Sequence, residues 1–173
     1  MSKIALIYGS DTGVTEEIAN EIVSDWTLTD IEVIEVLNAS KSDFERFDKI
    51  IIGLSTWYYG DLQSDWEDYF DEEFHEIDFT GRTIAFFGLG DQYGYGEYFI
   101  DGVGILAEVV RKNGGKIIGK WSTKDYDYEK SKAKIEGEEL FYGLALDEDN
   151  EPEKTPERLK QWLSQIEEEF ELK

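Results

Sequence analysis

The segment 8–15 combines hydroxyl side chains and glycines with no basic residue, and its position predicts a phosphate-binding site. An apolar run at 4–7 precedes it, and an amphipathic pattern that includes Ile18, Ile22 and Trp26 follows it. The segment therefore opens a predicted helix. Unpaired backbone N–H groups and the helix dipole, equivalent to about half a unit charge, stabilise an anion at such a position.

Six consecutive residues of this segment are candidate phosphate ligands: Ser10, Asp11, Thr12, Gly13, Val14 and Thr15. The glycine allows close approach of the backbone, and the three hydroxyl groups can donate hydrogen bonds. An ordinary strand-to-helix turn capped by Asp11 or Thr12 is the alternative interpretation.

Two better-known phosphate motifs do not fit this chain. A nucleoside-triphosphate loop requires a lysine where Val14 stands, and the spacing of its glycines is longer. The segment 88–90 begins like a dinucleotide fingerprint, but Tyr93 occupies the position of the third glycine.

Two further loops, rich in glycine and aromatic residues, follow the third and fourth predicted strands. Their candidate ligand residues are Thr56, Trp57, Tyr58, Tyr59, Gly60, Leu89, Gly90, Asp91 and Tyr95. Aromatic side chains beside a phosphate site predict a flat ring stacked between two aromatic faces, each pair contributing about 1 kcal/mol. Asp91 is a candidate acceptor for a ring N–H, whereas we expect Tyr58 and Tyr93 to cover the core.

The elements that position these loops alternate along the chain. Strands are predicted at 4–7, 31–37, 50–54, 83–89 and 117–121, with amphipathic helices between them. Thr155 is predicted to cap a last helix, with the following proline in its first turn. Ser64 is predicted to cap a helix that runs to about Glu76. This alternation predicts an α/β fold, a doubly wound parallel sheet with helices on both faces. The three loops then meet at the carboxyl ends of the strands, where such sheets bind ligands.

The polar stretch from 122 onward interrupts this pattern. We interpret it as a loop inserted into the fifth strand, which residues 140–146 then complete. The length of 173 residues predicts one domain, 1–173, with this insertion at about 122–142.

The net charge of −23 arises from 40 acidic and 17 basic residues. Such a field repels nucleic acid and anionic membranes, and it attracts partners with basic surfaces. The absence of cysteine excludes disulfides, iron–sulfur ligation and thiol catalysis. We find neither a leader pattern nor an apolar run of membrane-spanning length, and we expect a cytoplasmic protein.

In their order along the chain, these motifs resemble the flavodoxins, specifically the long-chain group typified by cyanobacterial and algal members. The resemblance lies in residues 10–15, 56–66 and 90–95, with further similarity at 121–123 and 144–150. It covers essentially the whole chain, and it implies a flavodoxin-like five-stranded parallel sheet in the order 2-1-3-4-5.

The resemblance also implies noncovalently bound FMN. By this similarity, Trp57 and Tyr95 sandwich the flavin ring, and Asp91 and the backbone near Gly90 contact its pyrimidine edge. Asp149 occupies the position that contacts the ribityl hydroxyls. Neither catalytic residues nor metal ligands are predicted.

The implied function is one-electron transfer between proteins, with FMN cycling mainly between semiquinone and hydroquinone. The resemblance suggests a monomeric substitute for ferredoxin that accepts electrons from photosystem I or another low-potential donor and passes them to ferredoxin-NADP reductase. The alternatives are an FMN-dependent NAD(P)H quinone or nitro reductase, a phospho-receiver domain and a module for another phosphorylated ligand. Aromatic residues on both ring faces argue against the reductase, and the absence of an aspartate at 53–55 argues against the receiver.

Tyr58 departs from the family pattern, in which a small or polar residue often follows the loop tryptophan. In those family members, a peptide at this position can flip and form a hydrogen bond with N5 of the reduced flavin. A non-glycine residue resists positive dihedral angles by about 1 kcal/mol, so we expect a weaker flip and a less stabilised neutral semiquinone.

Overall fold

A computed structural model describes residues 3–173. The strands are β1 (Ile4–Tyr8), β2 (Ile31–Glu35), β3 (Lys49–Trp57), β4 (Asp61–Leu62), β5 (Thr83–Leu89), β6 (Lys116–Ile118), β7 (Trp121–Ser122), β8 (Leu140–Phe141) and β9 (Gly143–Leu146). The α-helices are α1 (Val14–Asp25), α2 (Lys41–Glu45), α3 (Ser64–Glu72), α4 (Asp101–Lys112) and α5 (Thr155–Glu169). No helix within 3–173 is long and apolar enough to cross a membrane.

The parallel sheet has the order β2-β1-β3-β5-β6, which confirms the predicted order of the five strand positions. Two segments share the fifth position. β6 pairs with the first half of β5, and β9 pairs with its second half, from Phe86 to Leu89. The insertion into the last strand is therefore confirmed.

The boundaries of this last strand differ from those predicted. After β6 the chain turns at Gly119, which has a φ of 75° and whose carbonyl accepts a bond of 2.9 Å from Trp162 Nε1. Trp121 leaves the main sheet and pairs with Phe141 in a small antiparallel sheet formed by β7 and β8. Tertiary contacts with α5 thus override the local apolar pattern.

The sheet separates two apolar cores, as expected for strands covered on both faces. In β1, Ala5 and Ile7 face the core that contains α3 and α4. Ile4 and Leu6 face the core that contains α1 and α5. This alternation along β1 holds its carboxyl end, and the phosphate loop that follows, in a fixed position.

Two predicted helix starts need correction. Gln63, not Ser64, caps α3, because its side-chain oxygen accepts a bond of 3.2 Å from the N–H of Trp66. The α-helix ends at Glu72, and a 3₁₀ turn at Phe74–Glu76 follows it. Thr155 is the first residue of α5 and provides no side-chain cap, although the proline after it lies in the first turn, as predicted.

Candidate functional site

A cavity of about 190 Å³ opens at the carboxyl ends of β1, β3, β5 and β9. Eleven of the predicted site residues line it: Thr12, Val14, Thr15, Thr56, Trp57, Tyr58, Leu89, Gly90, Asp91, Tyr95 and Asp149. The three predicted loops therefore meet in one crevice, because parallel strands end at the same edge of the sheet. The other five predicted residues, Ser10, Asp11, Gly13, Tyr59 and Gly60, do not line the cavity.

The start of α1 is the part of the crevice suited to an anion. Gly13 precedes the helix with a φ of 91°, and no side chain caps the first turn. The alternative of a cap at Asp11 or Thr12 is therefore wrong. Ser10 Oγ accepts a bond of 3.0 Å from the N–H of Gly13 and so stabilises the loop. The uncapped N–H groups of the first turn remain available to a phosphate.

Asp11 connects the phosphate loop to the start of α3. Its Oδ1 accepts bonds of 3.0 Å from Gln63 Nε2 and 2.7 Å from Ser64 Oγ. Gln63 is fully buried, and sequence reasoning missed it. Glutamine in an acidic, aromatic stretch gives no local signal, since its importance comes from contacts 52 positions away.

The first aromatic loop is a tight turn between β3 and β4. Trp57 pairs with Asp61 across the turn, and both Tyr58 and Gly60 have positive φ, at 47° and 89°. Tyr58 thus adopts the left-handed conformation that we expected it to resist. Trp57 Nε1 is buried and has no hydrogen-bond partner among residues 3–173.

Gly60 lies against the buried Asp101 of α4, since a Cβ at Gly60 would lie 2.8 Å from Asp101 Oδ2. Asp101 Oδ1 accepts a bond of 2.8 Å from the N–H of Lys132 in the insertion. Burial raises the pKa of Asp101, although this bond and the Lys132 charge oppose the effect. One carboxylate therefore lies between the aromatic loop and the insertion.

The variant Asp101→Asn is expected to be more stable than the parent at neutral pH. Asparagine keeps an acceptor for Lys132 and avoids the burial of a charge. The pKa of Asp101 is higher in the folded than in the unfolded state, so the parent protein loses stability as pH rises from the unfolded pKa through the folded pKa. The difference in unfolding free energy between variant and parent should therefore grow over that pH window and then level off. Urea denaturation at several pH values measures it. Parallel profiles would contradict the prediction, and Asp68→Asn, at an exposed site, is the control.

In the second aromatic loop, Asp91 stabilises its own turn. Its Oδ1 accepts bonds from the N–H groups of Tyr93 and Gly94 and from Asn150 Nδ2, at 3.0, 2.6 and 2.8 Å. Partial burial opposes ionisation, but these three bonds together lower the pKa of Asp91. Because Oδ1 already has three donors, a ligand N–H would have to approach Oδ2 or the loop backbone.

The cavity wall carries negative charge and no positive charge. Asp91, Glu148 and Asp149 line it, whereas no lysine or arginine does so among the described residues. Burial raises the pKa of Asp149, and repulsion from Asp91 and Asp147 adds to this shift. Burial likewise raises the pKa of Glu148, and repulsion from nearby carboxylates adds to this shift.

Sequence reasoning missed two lining residues, Ser55 and Glu148. Each directly precedes a predicted site residue, and the position of Ser55 near the end of β3 was an available signal. The expectation that Tyr58 and Tyr93 cover the core is wrong, since both side chains are largely exposed.

These features fit a phosphorylated ligand with a flat ring. The uncapped start of α1 suits the phosphate. The Nε1 of Trp57 is buried and has no hydrogen-bond partner within 3–173. Trp57 and Tyr95 provide aromatic surface in the same cavity. A doubly wound sheet with this crevice at its carboxyl edge is typical of FMN-binding electron-transfer proteins.

Comparisons with known proteins agree with this class. The family model for flavodoxin matches residues 6–162. The flavodoxin of Trichodesmium erythraeum is 46% identical over 171 residues, which cover 98% of this chain and 99% of that protein. The flavodoxin of Picosynechococcus sp. is 46% identical over 175 residues, with coverage of 99% and 100%. A crystal structure of Fusobacterium nucleatum flavodoxin bound to flavin mononucleotide has a TM-score of 0.91 at 34% identity, with coverage of 98% and 99%.

This chain belongs to the flavodoxin family. It is an electron carrier that uses FMN, and not an enzyme. The comparisons do not favour the reductase alternative.

Proposed function

We propose that this flavodoxin is a low-potential one-electron carrier that acts as a cytoplasmic, single-domain monomer and substitutes for ferredoxin. FMN supplies the redox chemistry, and the protein supplies binding and tuning. The main support for a low potential is that three carboxylates and no basic residue line the cavity. Negative charge added to the ring is disfavoured there, and each tenfold disfavouring lowers a one-electron potential by about 59 mV.

The proposed roles of the site residues follow from their positions. Thr12 and Thr15 lie at the uncapped start of α1, where they would hold the phosphate. Trp57 and Tyr95 would cover the two ring faces, and Asp149 would contact the ribityl chain. All five line the same cavity, which supports this arrangement.

Tyr58→Gly is expected to change the separation between the two one-electron midpoint potentials of bound FMN. Tyrosine at a φ of 47° costs about 1 kcal/mol, whereas glycine adopts positive and negative φ at similar cost. The peptide after residue 58 then reorients more easily, and the separation should increase by roughly 40 mV. A redox titration of both proteins measures it. An unchanged separation would show that the backbone strain at Tyr58 does not affect the semiquinone, and Tyr58→Phe, which keeps the strain, is the control.

We place the partner surface around the cavity opening. Of the seven large apolar or aromatic side chains that are exposed within 3–173, four lie in the two aromatic loops and line the cavity or the cleft beside it. They are Tyr58, Tyr59, Tyr93 and Tyr95, with 62%, 75%, 59% and 43% of their surface exposed. We call these four residues the tyrosine rim. Tyrosine is enriched at protein interfaces because it offers a large rigid face together with a polar end.

Carboxylates accompany the tyrosine rim. Glu97 and Glu129 line a cleft of about 360 Å³ beside it, together with Tyr98. A partner that presents arginine or lysine would find both cation–π and ionic contacts here. Ferredoxin-NADP reductase and photosystem I are the proposed partners, each docking through a basic surface.

Stopped-flow electron transfer to ferredoxin-NADP reductase tests this proposal. The association rate should fall by roughly tenfold or more between low and high ionic strength, because opposite charges steer the encounter. The double variant Glu97→Gln/Glu129→Gln should be slower at low ionic strength and less sensitive to salt. A rate independent of salt would contradict the proposed docking.

The control is the double variant Glu76→Gln/Glu168→Gln. It removes the same charge from exposed positions that line neither the cavity nor the cleft of the tyrosine rim. Equal slowing in both double variants would show an effect of net charge alone, and it would place the partner elsewhere.

A further inference from the structure

The basic residues of this acidic chain are strongly concentrated in one segment. Residues 111–134 contain eight of the 17 basic residues and only three acidic ones. The eight are Arg111, Lys112, Lys116, Lys120, Lys124, Lys130, Lys132 and Lys134. This segment spans the end of α4 and much of the insertion.

The fold brings two parts of this segment together. A cavity of about 550 Å³ lies between α4 and the insertion, and Arg111, Lys112, Lys132 and Lys134 line it. We call the cavity lined by these four residues the basic cleft. It shares no lining residue with the cavity of the FMN site. The end of α4 lies near the start of β6, at the opposite edge of the sheet.

Close packing of the insertion on α4 creates the basic cleft. A Cβ at Gly104 would lie 2.2 Å from the carbonyl oxygen of Lys132, so only glycine permits this contact. The hydrogen bond from the N–H of Lys132 to Asp101 Oδ1 holds the same residue of the insertion against α4. Farther along the helix, the Arg111 guanidinium lies 5.5 Å from the centre of the Tyr142 ring. Lysines of the insertion are thereby held opposite the cations of α4.

Most of these cations have no carboxylate partner. The pair of Lys112 and Glu108, at 3.1 Å, is the only salt bridge that the four cleft cations form within 3–173. Lys134 Nζ donates a hydrogen bond of 3.4 Å to the carbonyl of Ile135. Two other carboxylates lie nearby. Glu136 lines the basic cleft, and the charge of Lys132 acts on Asp101. Within 3–173, neither Glu136 nor Asp101 forms a salt bridge with a cleft cation.

Three of the four cleft cations form no salt bridge within 3–173, although the chain has 40 acidic residues, so their charges are available to a ligand. Four cations line one concave space together with only two carboxylates, Glu108 and Glu136, and an anion with more than one charge can contact several of these cations at once. The volume lies within the range of small-molecule sites, about 300–1,000 Å³. Tyr142 and Phe70 add aromatic surface to the wall, which suits an organic anion.

We propose that the basic cleft binds a small multivalent anion, a phosphorylated or polycarboxylate metabolite, at a site separate from FMN. Arg111 and Lys132 provide the main charge-assisted bonds, and Lys112 and Lys134 complete the positive wall. Such a site gives the carrier a means to respond to a small anion without competition at the phosphate loop.

The test uses the FMN-loaded protein, so that the phosphate loop is already filled. Inorganic pyrophosphate and citrate are titrated separately at constant ionic strength, and binding is followed by amide NMR shifts. At least one anion should give saturable shifts confined to 101–113 and 131–142. The anion that binds with the higher affinity shows whether the basic cleft prefers phosphate or carboxylate groups.

The double variant Arg111→Gln/Lys132→Gln should weaken this binding by about tenfold or more, since it removes two charge-assisted donors. Both side chains are exposed, so the fold should survive. Lys116→Gln/Lys120→Gln removes the same charge from exposed residues outside the basic cleft, and it should leave the affinity nearly unchanged. The proposal is overturned if neither anion saturates, if both double variants weaken binding equally, or if the shifts centre on 10–15.

Discussion

Replacement of Trp57 by alanine is expected to raise the dissociation constant for FMN by a factor of between about 30 and about 150. Trp57 lines the cavity with its Nε1 buried and unpartnered. Loss of a stacked ring removes about 1 kcal/mol, and loss of its apolar contact area removes another 1 to 2 kcal/mol at roughly 25 cal/mol per Å². The sum corresponds to the stated change in affinity. Titration of the apoprotein with FMN, followed by quenching of flavin fluorescence, measures it.

Tyr59→Ala is the matched control for this variant. Tyr59 belongs to the same loop, yet it does not line the cavity, and its ring packs edge-on against Tyr98 with 5.7 Å between the centroids. Its removal should change FMN affinity little while slowing encounters at the tyrosine rim. If Tyr59→Ala weakens FMN binding as much as Trp57→Ala, the loop as a whole, and not the stacked ring, determines affinity.

Gly104→Ala is expected to destabilise the protein by about 2 kcal/mol, despite the better helix propensity of alanine. The added Cβ would lie 2.2 Å from a backbone oxygen of the insertion, and a backbone atom cannot move aside as a side chain can. Overpacking of this kind costs about 1–3 kcal/mol, and helix propensity returns at most about 1 kcal/mol. For a chain of this size the melting temperature should fall by roughly 6 °C. Urea denaturation measures the loss of unfolding free energy, and amide hydrogen exchange at 130–135 measures whether the insertion opens more readily.

Gly81→Ala separates packing from backbone strain. Gly81 has a φ of 78°, but nothing lies within 4 Å of the position of its Cβ. The expected cost is therefore only the left-handed conformation, about 1 kcal/mol, with no change of exchange at 130–135. Equal stability of the two variants, or unchanged exchange in Gly104→Ala, would show that the insertion does not depend on this contact.

The doubly wound sheet and the meeting of three loops were predictable because local patterns were strong, whereas the strand order was implied by the family resemblance. Apolar runs such as 4–7 and 50–54 are typical of strands buried on both faces, and alternation with helices restricts the topology. Once the order is known, Thr12, Trp57 and Asp91 must lie at one edge of the sheet. The same reasoning failed near Trp121, where an apolar residue follows the main strand but packs in a separate small sheet.

Individual contacts were less predictable than positions. The side chain of Asp91 was interpreted as a possible ligand contact, but its Oδ1 accepts three bonds from its own neighbourhood. Gln63 carried no local signal, although it connects the phosphate loop to the start of α3 from a fully buried position. Such partners depend on distances between segments that local sequence does not encode.

The sequence by itself determined the family, the doubly wound sheet and the position of an anion site without basic residues, because periodicity and motif order are local properties. Only the tertiary structure decided which residues line the cavity, that Tyr58 takes a φ of 47°, and that Lys132 lies next to Gly104. The reason is physical. A helix or strand forms from neighbours in the chain, whereas a cleft between α4 and an insertion forms only when packing brings distant residues within a few ångströms.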